Sequence, residues 1–333
     1  MGQKVLHIGK AGNMERYAAD KKFLEKIHLV DLPMGLEPEK YLKEAKDAQV
    51  IVADAIARIP AELIDGMPNL RMIHSEGVGY NGIDLEAADR NHVYVCNCRG
   101  MNASAVAEQA VMLMLGVLRD VKNGDRAVYE GEQIRKKESY MKNGNLMELA
   151  DCKVGLVGFG DIAKSLAKLL NAFQAEVYYY KRTRESKESE REYGASYLPL
   201  DELLSSCNII SMHVPVTEQT FHMADDAFFS KMQDGSYFIN TARGEVADSA
   251  AIVRALKSGK LAMAGLDTLE FEPVQKDNLL LTQEQEIQDK ILFSPHIGGI
   301  TASSFRRGYA MIWKAIQDLE EGKTPLNIVN ALI

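Results

Sequence analysis

Three residues in the second half of this 333-residue chain could do acid–base chemistry together. Arg243 lies in Asn240-Thr241-Ala242-Arg243-Gly244, Glu272 precedes Pro273, and His296 follows Pro295. A guanidinium binds a carboxylate through two parallel hydrogen bonds and polarises a carbonyl beside it. An imidazole has a reference pKa near neutrality and can give or take a proton at an oxygen. A carboxylate next to the imidazole favours its charged form. These are the parts that reduction of a 2-oxo acid requires when hydride arrives at C2. Singly, each residue also fits a plain structural role: a surface ion-pair partner, a turn before proline, a packed core histidine. Together, each at the expected carboxyl end of a parallel strand, they point to catalysis.

A second constellation could hold a cofactor. Gly158-Phe159-Gly160-Asp161-Ile162-Ala163 follows one apolar run and opens a helical pattern. This is the glycine fingerprint of a dinucleotide site in its required strand–turn–helix context. The first glycine allows the tight turn, the second lets backbone approach a pyrophosphate, and Ala163 lets helix and strand pack closely. The helix N-terminus then faces the phosphates. About twenty residues on, where an acidic residue would bind the ribose 2′-OH of NAD, stand Lys181-Arg182-Thr183-Arg184. A basic cluster there suits a 2′-phosphate, so the expectation is a preference for NADPH, with NADH still usable. The competing reading is a solvated helix of mixed charge over Glu185 to Glu192.

The elements that must position these residues are short apolar runs alternating with helical patterns. Strands are expected at Val5–Ile8, Ile27–Val30, Val50–Ala53, Leu70–Ile73 and Val93–Cys96. A second set follows at Val154–Val157, Glu176–Tyr180, Ile209–Met212, Ser236–Ile239, Ala262–Gly265 and Ile291–Phe293. Helices are expected around Tyr41–Ala45 and over Asp161–Phe173, Leu200–Ser205, Ser249–Ser258 and Ser303–Glu321, the last with a stripe of Ala310, Met311, Ile316 and Leu319 and ended by Gly322. This is an α/β pattern with parallel sheets. Ser104–Arg119 is apolar nearly all round and must be buried, between domains or between subunits. The charged stretch from Arg119 to Lys142 reads as a surface excursion.

Length is consistent with about two domains. A net charge of -8 argues against non-specific nucleic-acid binding. No apolar run suggests a signal peptide or a membrane span, so a reduced cytoplasmic setting is expected. Cys96 and Cys98 have one residue between them and no second pair, which favours packed thiols over a zinc site; no metal is expected.

The chain resembles the D-isomer-specific 2-hydroxyacid dehydrogenases, the group of phosphoglycerate, glyoxylate/hydroxypyruvate, D-lactate and formate dehydrogenases. The likeness runs through Glu76-Gly-Val-Gly-Tyr-Asn-Gly-Ile-Asp84, Val106-Ala-Glu108, Gly158 to Ala163, His213 to Thr220, Asn240 to Gly244, Glu272-Pro273 and Pro295 to Gly298. The resemblance implies two Rossmann-like or flavodoxin-like domains with a cleft between them. The substrate domain would be 1–101 with 299–333 and the dinucleotide domain 102–298, with hinges near Arg99–Ala103 and His296–Ile300. It implies that Arg243, Glu272 and His296 are catalytic and that the backbone of Val78 and Gly79 joins Arg243 on the substrate carboxylate. Around the cofactor it places Val106, His213, Val214, Pro215, Thr220, Thr241, Ala242, His296 and Gly298, with Asp267 at the nicotinamide amide. It further implies a homodimer through the 104–119 region. Lys181 stands where the family usually has Asp. Arg99 and Met101 occupy a hinge that often carries Pro and a small residue, and Asn81-Gly82 replaces an acidic-polar pair. Glu76 beside the Val-Gly loop would disfavour a second anionic group, which counts against 3-phosphoglycerate. The alternatives are a phosphoglycerate dehydrogenase, a dehydrogenase for an amino or inorganic acid, and a non-catalytic, corepressor-like protein that senses a dinucleotide.

Overall fold

The structure is a computed structural model that describes residues 2–18 and 20–332. Met1 and Ile333, which the expected outer domain includes, lie outside the described residues, as does Ala19. The chain divides into two compact units, Met1–Asn102 with Ile300–Ile333, and Ala103–Gly299.

The outer unit holds a sheet of five parallel strands: β1 (Lys4–Ile8), β2 (His28–Leu32), β3 (Val50–Ala53), β4 (Met72–Ser75) and β5 (Tyr94–Cys96), in the order β2-β1-β3-β4-β5. The middle unit holds seven: β6 (Lys153–Val157), β7 (Glu176–Tyr180), β8 (Ser196–Tyr197), β9 (Ile209–Met212), β10 (Ser236–Asn240), β11 (Leu261–Leu266) and β12 (Ile291–Phe293), in the order β12-β11-β10-β9-β6-β7-β8. Every pairing is parallel. These are the flavodoxin-like and Rossmann orders, each with a switch point where the order reverses. Strands covered on both faces read as continuous apolar runs. Accordingly β3 and β9 are buried along their whole length.

Some boundaries moved for a tertiary reason. The strand expected at Leu70–Ile73 runs Met72–Ser75, because its register starts where Met72 pairs with Val50. It continues through buried His74 and Ser75, polar residues that read locally as an end. Burial pushes the His74 imidazole down to about 4, and its Nδ1 bonds the Ser75 carbonyl at 2.8 Å. The strand expected at Ile27–Val30 runs on to Leu32 past Asp31, which bonds His7.

The last helix, Ala302–Glu320, buries a face of Tyr309, Ile312, Trp313, Ile316 and Leu319. The expected stripe was rotated: Ala310 is exposed and Met311 half-buried. Thr301 caps this helix by accepting from the Ser304 N–H at 3.1 Å. The helix docks on the first part of the chain, with the Trp313 indole N–H donating to the Met14 carbonyl at 3.2 Å. The segment after it is tied in too, as the Val95 N–H donates to Asn330 Oδ1 at 3.0 Å.

Helix Ala103–Leu118 is apolar all round because the middle unit itself covers it. It packs on helix Asp161–Ala172 and on β10, β11 and β12. The charged stretch that follows forms two helices, Val121–Tyr129 and Gln133–Asn143. Arg126 holds Asp289 in a two-pronged ion pair at 2.8 and 2.7 Å, while Val128, Tyr129, Ile134 and Met141 remain exposed. Cys96 and Cys98 are buried, and burial pushes both thiols up to about 12. Among the described residues no group of side chains is arranged to hold a metal, and no helix is long and apolar enough to cross a membrane.

His7, at the carboxyl end of β1, is fully buried between two carboxylates. Its Nδ1 bonds Asp31, and its Nε2 bonds Glu76 Oε1 at 2.8 Å, an oxygen that also accepts from the Tyr309 hydroxyl. The Glu76 charge expected to repel a second anion is therefore engaged by its own neighbours. Burial alone would push the His7 imidazole down. The Glu76 and Asp31 carboxylates outweigh it, and the net direction is upward from 6.5. A histidine raised on folding stabilises fully below its unfolded value and loses that contribution as pH climbs through the folded one. His7→Gln should therefore lose most stability near about pH 6 and clearly less near about pH 9. Urea denaturation at both pH values checks this; an equal loss at both would remove the charged histidine from the account.

Candidate active site

The fingerprint turn joins β6 to helix Asp161–Ala172. Gly158 has φ 97°, and a Cβ there would sit 2.5 Å from the His213 carbonyl oxygen, so only glycine fits. Among the described residues, a Cβ at Gly160 would meet nothing within 4 Å, and no side chain caps the helix. The turn thus presents open space and an uncapped N-terminus at the switch point between β6 and β9, which is where a pyrophosphate fits. The Thr241 hydroxyl, after β10, is buried with no hydrogen-bond partner among the described residues, an orphan that a bound group would satisfy. These features fit a dinucleotide.

The other cofactor candidates sort by what they already do. Phe159 is buried and stacks on Tyr179 at 4.1 Å, so only its backbone can face a ligand. Asp161 and Ile162 form the first turn of the helix, Val106 is buried in helix Ala103–Leu118, and Ala242 is half-buried. His213, Val214 and Pro215 follow β9. Burial pushes the His213 imidazole down to about 4, so it is neutral at pH 7, with Nε2 on Ser211 Oγ at 2.8 Å. Thr220 closes its own loop: its hydroxyl donates to the Pro215 carbonyl at 2.5 Å and accepts from the Thr217 N–H at 2.8 Å.

Asp267 is nearly fully buried at the end of β11 and anchors the turn after β12. Its Oδ1 accepts from Ser294 Oγ at 2.5 Å and the Ile297 N–H at 3.1 Å, and its Oδ2 from the Gly298 N–H at 2.9 Å. Gln109 in turn donates to Ser294 Oγ at 2.8 Å. The sequence reading missed Ser294, Gln109 and this anchoring task, because the partners lie up to 185 residues apart.

The basic cluster is largely neutralised from within. Lys181 and Lys164 both hold Glu185, the latter at 2.9 Å, and this pulls the Glu185 carboxyl down to about 2, Lys164 contributing most. Arg184 holds Glu190 at 2.7 and 3.0 Å and pulls it to about 2 as well. Glu190 sits on helix Lys187–Tyr193, which starts two residues after the expected Glu185, and it is buried where the competing reading expected a solvated helix. Arg182 differs: among the described residues its Nη1 meets only the neutral Gln219 Oε1, at 3.3 Å. Thr183 follows it in the same exposed loop.

Of the three chemical residues, two meet. His296 Nδ1 lies 2.5 Å from Glu272 Oε2, and Glu272 Oε1 accepts from the Leu269 N–H at 2.9 Å. A carboxylate accepts here, so the imidazole carries a proton on Nδ1, and Nε2 is left to face a substrate. His296 adopts φ 53°, and its N–H is held by the Asp267 carbonyl at 2.8 Å. Together with Pro273 and Pro295, the pair lines a largely apolar cavity walled by Leu269, Val274, Leu281 and Phe293, of about 430 Å³.

Arg243 is exposed and does not touch the pair; its Nη1 donates to the Ala242 carbonyl at 2.7 Å. Its loop is set by Asn240, also missed as a functional residue, which accepts from the Ala242 N–H at 3.0 Å and donates to the Arg243 carbonyl at 2.8 Å. The next residue, Gly244, lies directly against the Leu269–Glu270 backbone.

In the outer unit the Gly77–Gly79 loop is pinned through its carbonyls. Gly77 O accepts from the Cys98 N–H, Val78 O from Asn97 Nδ2 and Gly79 O from Ser75 Oγ, at 2.8, 2.8 and 2.6 Å. The N–H groups of Val78 and Gly79 have no partner among the described residues.

Residues 111–298 match the family model of the D-isomer specific 2-hydroxyacid dehydrogenase NAD binding domain. The glyoxylate reductase of Pyrococcus furiosus is 34% identical over 293 residues, 88% of this chain and 85% of that protein. The D-3-phosphoglycerate dehydrogenase of Archaeoglobus fulgidus is 34% identical over 301 residues, 90% of this chain but 55% of its own length. The apo D-mandelate dehydrogenase of Rhodotorula graminis matches in structure with a TM-score of 0.85 at 27% identity, covering 100% of this chain and 99% of that one. With its two parallel-sheet units, its dinucleotide turn and these relatives, the chain belongs to the D-isomer-specific 2-hydroxyacid dehydrogenases, oxidoreductases that use a nicotinamide dinucleotide.

Proposed function

We propose that the chain reduces a small 2-oxo acid to the (D/R)-2-hydroxy acid, with NADPH preferred over NADH. The observation that carries the reaction is the His296–Glu272 pair, locked at both Glu272 oxygens. A bound nicotinamide would supply hydride from its C4. His296 donates the proton to the substrate oxygen from Nε2, and takes one back in the reverse direction. Glu272 holds the Nδ1–H and the ring, and favours the doubly protonated imidazolium that carries the proton Nε2 gives up. Arg243 binds the substrate carboxylate and polarises the carbonyl, free to do so because among the described residues only its own loop engages it. The unpartnered N–H groups of Val78 and Gly79 support their proposed part in carboxylate binding. Asp267 serves first as the anchor of the 294–298 turn, and any contact with the nicotinamide amide adds to that task. For a homodimer near 104–119, the exposed Val128, Tyr129, Ile134 and Met141 that follow offer the apolar surface.

Glyoxylate is the first acceptor to test, on the name of the Pyrococcus relative, followed by hydroxypyruvate and branched and aromatic 2-oxo acids. Loss of the nicotinamide absorbance band with NADPH, then NADH, reads the reaction. Silence across the panel, with cofactor binding retained, would favour the dinucleotide-sensing alternative.

Cofactor preference is proposed to rest on Arg182, whose neighbours are already paired with carboxylates. Arg182→Ala should lower kcat/KM for NADPH by about tenfold or more and leave NADH nearly unchanged. An equal effect on both cofactors would move the 2′-phosphate contact elsewhere, and a wild-type preference for NADH would overturn it.

A further inference from the structure

Glu270 is 5% exposed, and neither of its carboxylate oxygens bonds His296. Its Oε1 accepts from His222 Nε2 at 2.5 Å, and its Oε2 accepts from the Ser249 N–H at 2.8 Å. Its carbonyl accepts from Asn278 Nδ2 at 3.2 Å. The His222 N–H reaches the Glu245 carbonyl at 2.8 Å, and the Ala224 N–H the Val246 carbonyl at 3.0 Å. One carboxylate thus joins three segments that leave the ends of β9, β10 and β11. The second carries Arg243, one residue before the contact of Gly244 with the Leu269–Glu270 backbone. The third carries Glu272, two residues beyond Glu270.

Two backbone features suit a clamp. His222 and Phe271 adopt φ 49° and 61°, a region L side chains seldom occupy unless neighbours impose it. The left-handed Phe271 lets Glu270 turn inward while Glu272 reaches His296. Capping of helix Ser249–Ser258 does not by itself explain a buried carboxylate, because Asp248 already caps it through the Ala250 N–H at 2.8 Å.

We propose that His222 and Glu270 form a positioning pair that sets the spacing between Arg243 and the Glu272–His296 couple, and with it the fit of the 2-oxo acid. The inference rests on the functional reading above. Neither residue touches the reacting atoms. Removing the imidazole unties Glu270 from the β9 segment, which backbone bonds keep with the Arg243 loop, and lets the Glu272 segment drift against that loop; small displacements of oriented groups are costly to rate.

The test uses the full chain loaded with NADH, with glyoxylate as substrate and oxamate as an unreactive carboxylate probe. His222→Ala should raise KM for glyoxylate and Kd for oxamate by about tenfold or more, with the Kd for NADH changed less than about twofold. His222→Gln, which can still donate near the position of Nε2, should recover most of the loss. Glu270→Ala should match the His222→Ala/Glu270→Ala double variant, since a pair acting as one unit is not additive. If Glu270→Ala fails to fold, the two His222 variants still decide. Wild-type KM and oxamate binding in His222→Ala overturn the pair, as does a loss of NADH binding parallel to the loss of oxamate. A wild-type chain inert toward every 2-oxo acid overturns the functional reading instead, and oxamate binding then reads the pair independently.

Discussion

His296→Gln is expected to cut turnover of 2-oxo acid by about a hundredfold or more while leaving NADH affinity unchanged. Glutamine can still hydrogen-bond Glu272, so the 269–272 segment keeps its anchor from the Leu269 N–H. What disappears is a proton at Nε2 that can be delivered to oxygen. General acid catalysis is worth about 10² to 10⁴ in rate, which sets the size of the loss. Cofactor affinity should hold, because the features fitted to a dinucleotide, the Gly158–Gly160 turn and the orphan Thr241 hydroxyl, lie on other loops. Steady-state kinetics with glyoxylate and fluorescence titration with NADH separate the two quantities. Near-normal turnover would move the proton donor away from His296.

Gly244→Ala should damage both stability and activity, for a reason that can be read in three distances. The new Cβ would lie 2.0 Å from the Leu269 carbonyl carbon, 2.1 Å from its oxygen and 2.3 Å from the Glu270 nitrogen. These are backbone atoms and cannot rotate aside, so the Arg243 loop and the Glu272 segment must separate. Overpacking of this kind costs about 2–3 kcal/mol. For a unit of this size the melting temperature should fall by roughly 5–10 °C. The protein that remains folded should show a raised KM for 2-oxo acid, because Arg243 moves with the loop. Calorimetry and kinetics on the same preparation check both parts. An unchanged melting temperature would mean that the two segments do not pack as closely as the distances show.

The fold was legible where local pattern and tertiary burial agree. β3, β7, β9, β12 and helix Ser249–Ser258 have the bounds their apolar runs and flanking breakers suggest. It was less legible where burial extends a strand through polar residues, as at His74 and Ser75. The rotated face of the last helix has a similar cause. Trp313 and Tyr309 supply its bulk, and a stripe drawn from aliphatic residues passes to one side of them. At the site, residue types were readable but pairings over distance were not. Nothing near Lys181 in sequence announces that Lys164 shares Glu185 with it, or that helix Lys187–Tyr193 turns Glu190 back onto Arg184. Likewise His222 and Glu270 stand 48 positions apart without a local signal. The partner of a buried charge is decided by which strand ends lie side by side.

The outer unit is assembled from the first and last parts of the chain, and this imposes an order on its biosynthesis. The middle unit is one continuous stretch, Ala103–Gly299, and can close as soon as that stretch has been made. The outer sheet has all five of its strands by residue 96, yet it has only part of the cover for the face on which Trp313, Ile312 and Ile316 later pack. Until helix Ala302–Glu320 emerges, Val5, Val50, Val52 and Met72 have only early residues of their cluster, such as Met14, Phe23, Leu24 and Met101, to pack against. The nascent chain therefore carries an open half while the other half folds. That interval spans just over two hundred residues of translation, from Cys96 to Ala302, and exposed apolar surface is then open to misassociation.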